Sequence, residues 1–237
     1  MKKNKIFKIT TLIAFIILLT TVFIYITYIN YNPENQTKSE IYTLETLPEY
    51  SGHSKVYIND DKPNFLESDM TTISFEKYSD LDNLKRCGVA YANIDNKLMP
   101  TEERGPIGKI KPSGWHSIKY DIVPGKYLYN RCHLIAFQLT GEKANEKNLI
   151  TCTKNMNSIV MREYENMVAK YIEETNNHVL YRVTPLFKNN NLLASGVQME
   201  GYSVEDNGKG ISFNVYVYNV QQGIILDYNN GDSKLSR

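Results

Sequence analysis

The feature that most constrains this chain is an uncharged apolar run near its N-terminus. The run extends from Ile9 to Ile29 and follows Lys2, Lys3, Lys5 and Lys8. At about 1.5 Å per helical residue, a segment of this length spans roughly 31 Å, which matches the hydrocarbon core of a bilayer. It therefore predicts one transmembrane helix. We expect the lysines in the cytoplasm, by the positive-inside rule, and the rest of the chain outside the cell.

Two other interpretations of the run stay open. A cleaved signal peptide would leave a secreted protein, although the run is longer than a usual signal core and no small-x-small cleavage site follows it. A buried helix of a soluble domain is the third interpretation, but Thr, Ile and Phe surround every face of the run and no polar stripe is present. Both export interpretations place the remaining residues outside the cytoplasm.

The composition beyond the run predicts a simple organisation. Residues 1–29 form a cytoplasmic tip and anchor, residues 30–54 are rich in polar residues and predict a stalk, and residues 55–237 are enough for one folded domain. The formal net charge of +1 conceals an acidic exported part, because four of the 27 basic residues precede the run and none of the 26 acidic residues does. A nucleic-acid partner would therefore need a local basic patch.

Apolar periodicity in the C-terminal half predicts an α+β fold. Apolar residues recur at helical intervals from Asn157 to Thr175, which indicates an amphipathic helix. Alternating residues at 179–183 and 211–218 predict antiparallel strands, and Asn- and Gly-rich turns separate them. The shorter apolar segments between residues 57 and 99 predict further strands and loops.

Four side chains between residues 130 and 165 suggest a reaction centre for phosphodiester hydrolysis. His133 titrates near neutral pH and can act as the general base, while Arg131, two residues away, shares its face if the segment is a strand and can hold a phosphate. Asn157 offers a neutral oxygen to a hard cation such as Mg²⁺, and Glu165 can hold that ion's water molecules. Each residue alone also fits a structural role, so the hypothesis depends on their combination.

The three cysteines, Cys87, Cys132 and Cys152, do not form a recognisable disulfide framework, and their odd number leaves at least one thiol free. Cys132 is expected to point away from the reaction centre as a packed thiol. A zinc hydrolase that uses Cys132, Cys152 and His133 is an alternative, although no Cys-x-x-Cys pair supports it.

Two further residues have alternative interpretations. Arg182 lies in a predicted strand and could contact a substrate phosphate, or it could lie on a solvated face. Trp115, the only tryptophan, is predicted to pack in a core rather than to stack on a substrate.

Several motifs together resemble one family. They are Cys87-Gly-Val-Ala-Tyr-Ala, Ser113-Gly-Trp-His, Tyr129-Asn-Arg-Cys-His-Leu-Ile, Asn145-Glu-Lys-Asn-Leu-Ile-Thr, Met156-Asn, Tyr164-Glu-Asn, Tyr181-Arg-Val-Thr-Pro and Asn219-Val-Gln. As a set, from about Pro48 to Asp232, they resemble the DNA/RNA non-specific endonucleases of the ββα-metal superfamily, in particular the streptococcal DNA-entry nuclease type. The resemblance implies a ββα-metal core with a central, mostly antiparallel sheet.

The resemblance also implies roles for individual residues. His133 matches the general base of the family's Asp-Arg-Gly-His signature, Arg131 its arginine, Asn157 its direct magnesium ligand and Glu165 its water-holding carboxylate. It implies Mg²⁺, with Mn²⁺ as the alternative, and cleavage of DNA and of RNA to products with 5′-phosphates. Asn130 and Cys132 depart from the signature's Asp and Gly. Asn130 and the acidic charge motivate a rival hypothesis, a catalytically silent surface protein that binds nucleic acid or another partner.

Overall fold

The computed structural model describes residues 18–22 and 43–236. The predicted membrane segment, Ile9 to Ile29, lies outside these ranges except for residues 18–22. Within the described ranges, no helix combines the length and the apolar character needed to cross a bilayer. Residues 43–236 belong to one compact unit, which is described below.

A six-stranded antiparallel sheet forms the centre of this unit. Its strands, in the order β1-β8-β7-β6-β3-β2, are β1 (Lys55–Tyr57), β8 (Ser212–Tyr218), β7 (Gly196–Ser203), β6 (Val179–Leu186), β3 (Ala90–Ile94) and β2 (Phe75–Tyr78). Strand β8 is buried on both faces, because Phe213, Val215 and Val217 join the main core while Tyr216 and Tyr218 pack on the opposite face. The two predicted C-terminal strands are therefore confirmed, with β6 three residues longer than expected.

A separate pair of strands carries the predicted reaction segment. Strand β4 (Tyr129–His133) pairs antiparallel with β5 (Leu149–Thr153), and His133 lies opposite Leu149. A short helix α1 (Phe137–Thr140) and a 3₁₀ turn at Glu146–Asn148 connect the two strands. The buried Asn148 joins both ends of this connection, since its side chain accepts from the Ile135 amide at 2.9 Å and donates to the Ile135 carbonyl at 3.0 Å.

The predicted amphipathic helix follows β5 and completes a strand-strand-helix unit. Its regular part is α2 (Arg162–Thr175), which buries Tyr164, Val168, Ala169 and Ile172 against the central sheet. The turn before it, Met156–Met161, is a π-helix. Such wide turns often occur at functional sites, because they shift the direction of side chains relative to a regular helix. The helix ends at Asn176, which adopts the left-handed conformation that commonly follows a helix C-terminus.

Two smaller features complete the domain. The strands β9 (Ile224–Leu226) and β10 (Ser233–Leu235) form a hairpin, and Ile224 shares a small apolar cluster with Tyr129 of β4. In the segment predicted as a stalk, Leu47 is buried, and the Pro48 carbonyl accepts a hydrogen bond from the Tyr218 hydroxyl at 2.6 Å. The packed domain therefore includes residues that precede β1.

The cysteine prediction is wrong for Cys132. Cys132 is fully buried on the core side of β4, as expected, but it forms a disulfide with Cys152 of β5, across a Cα–Cα distance of 5.9 Å. Antiparallel pairing brings the two residues together although 20 positions separate them in sequence. Cys87 is the free thiol and is buried. The disulfide removes two of the three ligands that the zinc-hydrolase alternative requires.

Candidate active site

His133, the last residue of β4, lies at the bottom of a cavity and is only 5% exposed. Its two ring nitrogens have different partners. Nε2 lies 3.0 Å from the Lys143 carbonyl oxygen, and Nδ1 lies 3.2 Å from a guanidinium nitrogen of Arg104. A carbonyl can only accept and a guanidinium can only donate, so Nε2 carries the proton and Nδ1 carries the lone pair.

The surroundings of His133 favour the neutral imidazole. Burial lowers the pKa of His133, the hydrogen bond to the Lys143 carbonyl opposes this, and the nearby Arg104 charge lowers the pKa further. The loop that carries Arg104 is tied to the loop of Lys143 by a salt bridge between Lys143 and Glu102, 2.6 Å long. A neutral histidine with one oriented lone pair is the form that a general base needs.

Asn157 lies on the π-helical turn, close to the end of β5. Its amide nitrogen donates to the Ser158 hydroxyl at 3.4 Å, and its amide oxygen accepts no hydrogen bond from the residues that the structure describes. The side chain of Asn130 donates to the same hydroxyl, also at 3.4 Å. Asn130, at the position where the family signature has Asp, therefore contacts the turn that carries Asn157 through a neutral hydrogen bond.

Glu165 lies eight residues after Asn157 and is half-buried. Burial raises the pKa of Glu165 to about 7, whereas the charges of Arg162 and Arg104 act in the opposite direction. Below Glu165 lies Tyr181, whose hydroxyl is fully buried and has no hydrogen-bond partner among the described residues. A carboxylate this poorly solvated is costly unless a cation or a network of water molecules accompanies it.

These side chains line a single cavity of about 230 Å³. Its polar lining includes His133, Asn157 and Glu165, together with Arg104 and Arg162. The fold therefore brings together three of the residues predicted from sequence and adds two arginines. No cluster of three His, Cys, Asp or Glu side chains suited to a metal occurs in the described part of the chain. The available donors, one free amide oxygen and one carboxylate, fit an ion such as Mg²⁺, which keeps most of its water ligands.

Arg131 lies on the same side of β4 as His133 but lines a neighbouring cavity rather than this one. Its guanidinium stacks on the Trp115 ring, 3.9 Å from the ring centroid, and donates to the carbonyls of Ile110 and Gly108, the latter at 2.9 Å. Trp115 also packs against a small apolar cluster beside β9, in agreement with its predicted packing role. Arg131 is thus held in the cavity next to that of the base.

The structure does not bring Arg182 to the site. Its side chain lies on the face of β6 opposite Tyr181, forms a 2.7 Å salt bridge with the buried Glu200 and donates to the Asn64 carbonyl at 2.7 Å. Its guanidinium also lies over the Phe65 ring. Arg182 therefore forms an ion pair between two strands and lines neither of the two cavities described above, and its contact with a phosphate stays a prediction.

Comparison with known proteins agrees with this geometry. Residues 67–205, more than half of the chain, match the family model described as DNA/RNA non-specific endonuclease. The chain belongs to that family. The structure of NucA from Streptococcus agalactiae with a magnesium ion bound is 25% identical to this endonuclease, with a TM-score of 0.71 over 82% of this chain and 94% of that one. The structure of the Sda1 nuclease with a bound zinc ion is 30% identical, with a TM-score of 0.61 over 70% of this chain and 82% of the other.

Arg104 and Arg162 are the site residues of this endonuclease that sequence reasoning missed. Arg162 had a detectable signal, because it precedes Glu165 by three positions and therefore lies on the same face of the helix. Arg104 lies in an irregular loop 29 residues before His133, and no periodicity links the two. Only the folded loop places its guanidinium on the histidine.

Proposed function

We propose that this nuclease is a magnesium-dependent endonuclease that hydrolyses phosphodiester bonds of DNA and of RNA without sequence specificity, and that a membrane anchor holds it outside the cell. The main observation in support of this chemistry is that the two ring nitrogens of His133 have different hydrogen-bond partners, which assigns the proton to one and the lone pair to the other. Nε2 is tied to the backbone, and the lone pair of Nδ1 faces a cavity lined with arginines, an amide and a carboxylate.

In this proposal His133 accepts the proton of the attacking water molecule. Arg104 would leave Nδ1 when the anionic substrate enters, because a phosphate is a stronger acceptor for a guanidinium than a neutral imidazole is. Arg104 and Arg162 would then donate to the non-bridging oxygens, whose charge increases in the transition state. Neither arginine has an ion-pair partner within residues 43–236, so both are available to an anion.

Asn157 and Glu165 would hold the metal ion, Asn157 through its amide oxygen and Glu165 through the ion's water shell. When bound, Mg²⁺ would supply positive charge to the scissile phosphate and to the leaving oxygen. Mn²⁺ is the alternative ion, since it takes similar oxygen ligands. The bound magnesium of NucA supports this assignment, and the bound zinc of Sda1 makes the choice of metal an experimental question.

The absence of sequence specificity and the acceptance of RNA follow from the type of contact. Arginine side chains that bind phosphates carry no information about the bases, and a phosphate is the same group in DNA and in RNA. A nucleic-acid partner of an acidic domain needs a local basic patch, and the arginine and lysine side chains that line the two neighbouring cavities provide one.

The extracellular location and the single membrane anchor at Ile9 to Ile29 remain proposals from the sequence. The Cys132–Cys152 disulfide supports export, because such bonds form and persist outside the reducing cytoplasm. Cleavage of the same segment would give a secreted enzyme. Intact-cell protease digestion, followed by detection of the domain and of an N-terminal tag, distinguishes anchored from released protein.

The test of the chemistry is digestion of plasmid DNA and of RNA by the full-length protein in detergent, with Mg²⁺, Mn²⁺, Zn²⁺ or EDTA. His133→Ala should lose activity by a factor of about 10² to 10⁴. The matched control is His53→Ala, which alters an exposed histidine away from the site. Cutting that survives His133→Ala would refute this mechanism.

The rival function is nucleic-acid binding without catalysis, and the Asn130 substitution is the observation that favours it. Well-folded protein that binds DNA but cuts nothing with any of the three metals would support this rival. Asn130→Asp would then be the informative variant, because it restores the carboxylate of the family signature beside Ser158.

A further inference from the structure

A second cavity, of about 530 Å³, adjoins the catalytic cavity. The two share Arg104, Asn157 and Arg162 as walls, so they form one continuous depression. The second cavity is more than twice as large as the first and extends from the π-helical turn towards Trp115 and Tyr127. The proposed reaction does not use this additional volume.

The charge of the second cavity is one-sided. Arg104, Arg131, Lys154 and Arg162 line it, and no aspartate or glutamate does. None of the four forms a salt bridge with any residue in the described ranges, whereas other lysines, such as Lys55 and Lys147, pair with carboxylates. Four unpaired cations on an otherwise acidic domain repel one another, and an anionic ligand would relieve that repulsion.

Two of these cations are positioned away from the reaction centre. Arg131 uses two of its five N–H donors on the Ile110 and Gly108 carbonyls, and its stacking on Trp115 fixes the plane of the remaining three. Lys154 directly follows β5, and its backbone amide donates to the Leu128 carbonyl at 2.8 Å. The Arg131 guanidinium is therefore held in place before a ligand binds, which reduces the entropy lost on binding, and the backbone of Lys154 is fixed next to it.

The remaining wall of this cavity is aromatic. Trp115, Tyr127 and Tyr129 line it, and the Tyr129 ring is fixed by a hydrogen bond from its hydroxyl to the Gly231 carbonyl at 3.0 Å. Tyr127 is 49% exposed, so part of its ring is open to a ligand. Cations combined with exposed rings are the features with which proteins hold single nucleic-acid strands, because the rings stack on bases of any sequence.

We propose that this second cavity is a subsite for the nucleotide next to the cleaved bond. Arg131 and Lys154 bind its phosphate, and Tyr127 contacts its sugar or base. The inference rests on the proposed nuclease function, since the shared walls make the subsite part of the same substrate groove. It follows that substrates with a neighbouring phosphate bind better than an isolated phosphodiester.

Binding can be measured without cleavage. A fluorescent oligothymidylate of roughly 12 nucleotides is long enough to cover both cavities. The fluorescence anisotropy of this oligonucleotide would be measured in EDTA as full-length protein is added. The protein would carry either His133→Ala alone or His133→Ala together with Lys154→Ala. The matched control is Lys170→Ala, which removes a lysine on the exposed side of α2 that pairs with Glu174. Lys154→Arg tests whether the charge alone is needed.

Lys154→Ala should weaken binding roughly five- to tenfold, as expected for the loss of one charged contact. It should also reduce the slope of log affinity against log salt by about 0.7, the value for one phosphate contact in a single strand. Lys154→Arg should restore most of the binding, and Lys170→Ala should change neither quantity. Equal affinity and equal slope for Lys154→Ala and the control would overturn the subsite.

Hydrolysis of bis(p-nitrophenyl) phosphate, which has one phosphodiester and no neighbouring phosphate, separates the two proposals. With His133 intact, Lys154→Ala should raise KM for DNA and leave this small substrate unaffected. An equal loss of activity on the small substrate would indicate that Lys154 acts in the catalytic cavity, and it would overturn the subsite. If the wild-type protein cuts neither substrate, the nuclease proposal fails, and the binding experiment still decides whether Lys154 holds a strand.

Discussion

Removal of the Cys132–Cys152 disulfide should destabilise the domain more than any other change to its cysteines. The variant is Cys132→Ala combined with Cys152→Ala, because both side chains are fully buried and serine would leave unpaired hydroxyls in the core. Alanine therefore isolates the effect of the covalent link as far as a substitution can.

The expected magnitude follows from the sequence separation of 20 residues. Closing a loop of this size removes conformational entropy from the unfolded chain that is equivalent to about 3 kcal/mol. The total unfolding free energy of a domain is about 5–15 kcal/mol, so the loss is a large fraction of it. For a domain of this size, the melting temperature should fall by roughly 6–12 °C.

The assay is urea denaturation followed by the fluorescence of Trp115, the only tryptophan. Its contact with Arg131 of β4 makes it a reporter for the part of the fold that contains the disulfide. A thiol reductant should lower the free energy of unfolding of the wild-type protein by as much as the double substitution does.

Cys87→Ala is the control, since Cys87 is buried and free, and its thiol only donates weakly to the carbonyls of Glu146 and Leu149. That variant should lose about 1 kcal/mol through lost packing. A double variant that loses no more than Cys87→Ala, or a wild type insensitive to reductant, would refute the loop-entropy reasoning.

Three further outcomes are expected. Arg104→Ala should move the acid limb of the kcat/KM profile to higher pH, because the Arg104 charge lowers the pKa of His133 and the base acts only when neutral. An unchanged acid limb would show that the Arg104 charge does not affect the pKa of His133. Glu165→Gln should raise the Mg²⁺ concentration for half-maximal rate by about 10- to 100-fold, measured by metal titration. Arg182→Met should destabilise the domain by about 3 kcal/mol in urea unfolding, because it leaves the buried Glu200 carboxylate without its ion-pair partner, and should leave KM for DNA unchanged. A raised KM would show that Arg182 contacts the substrate.

Much of the fold follows from local patterns in the sequence. The alternation in β6 and β8 and the helical repeat of α2 identify these elements, because one face of each must be apolar to join a common core. The antiparallel sheet and the strand-strand-helix unit agree with the resemblance to the nuclease family. The π-helical turn before α2 was not predicted, because it leaves the apolar repeat almost unchanged.

The sequence predicted roles for His133, Asn157 and Glu165 because each has a side chain suited to one part of the reaction. All three line one cavity, and their roles stay predictions. It placed Arg131 and His133 on one face of a strand, with Cys132 on the other, which strand periodicity determines. It could not show that the loop at Gly108–Ile110 holds Arg131 in the cavity next to that of the base.

The contacts that only the tertiary structure decided join residues far apart in the chain. Arg104 reaches His133 across 29 positions, Cys132 reaches Cys152 across 20, and Arg182 is paired with Glu200 on the other face of the sheet. Local sequence determines which face of a strand or helix is apolar, because that depends on near neighbours alone. Which loop covers a histidine, and which carboxylate meets an arginine, depends on the packing of whole elements, and the sequence by itself does not reveal it.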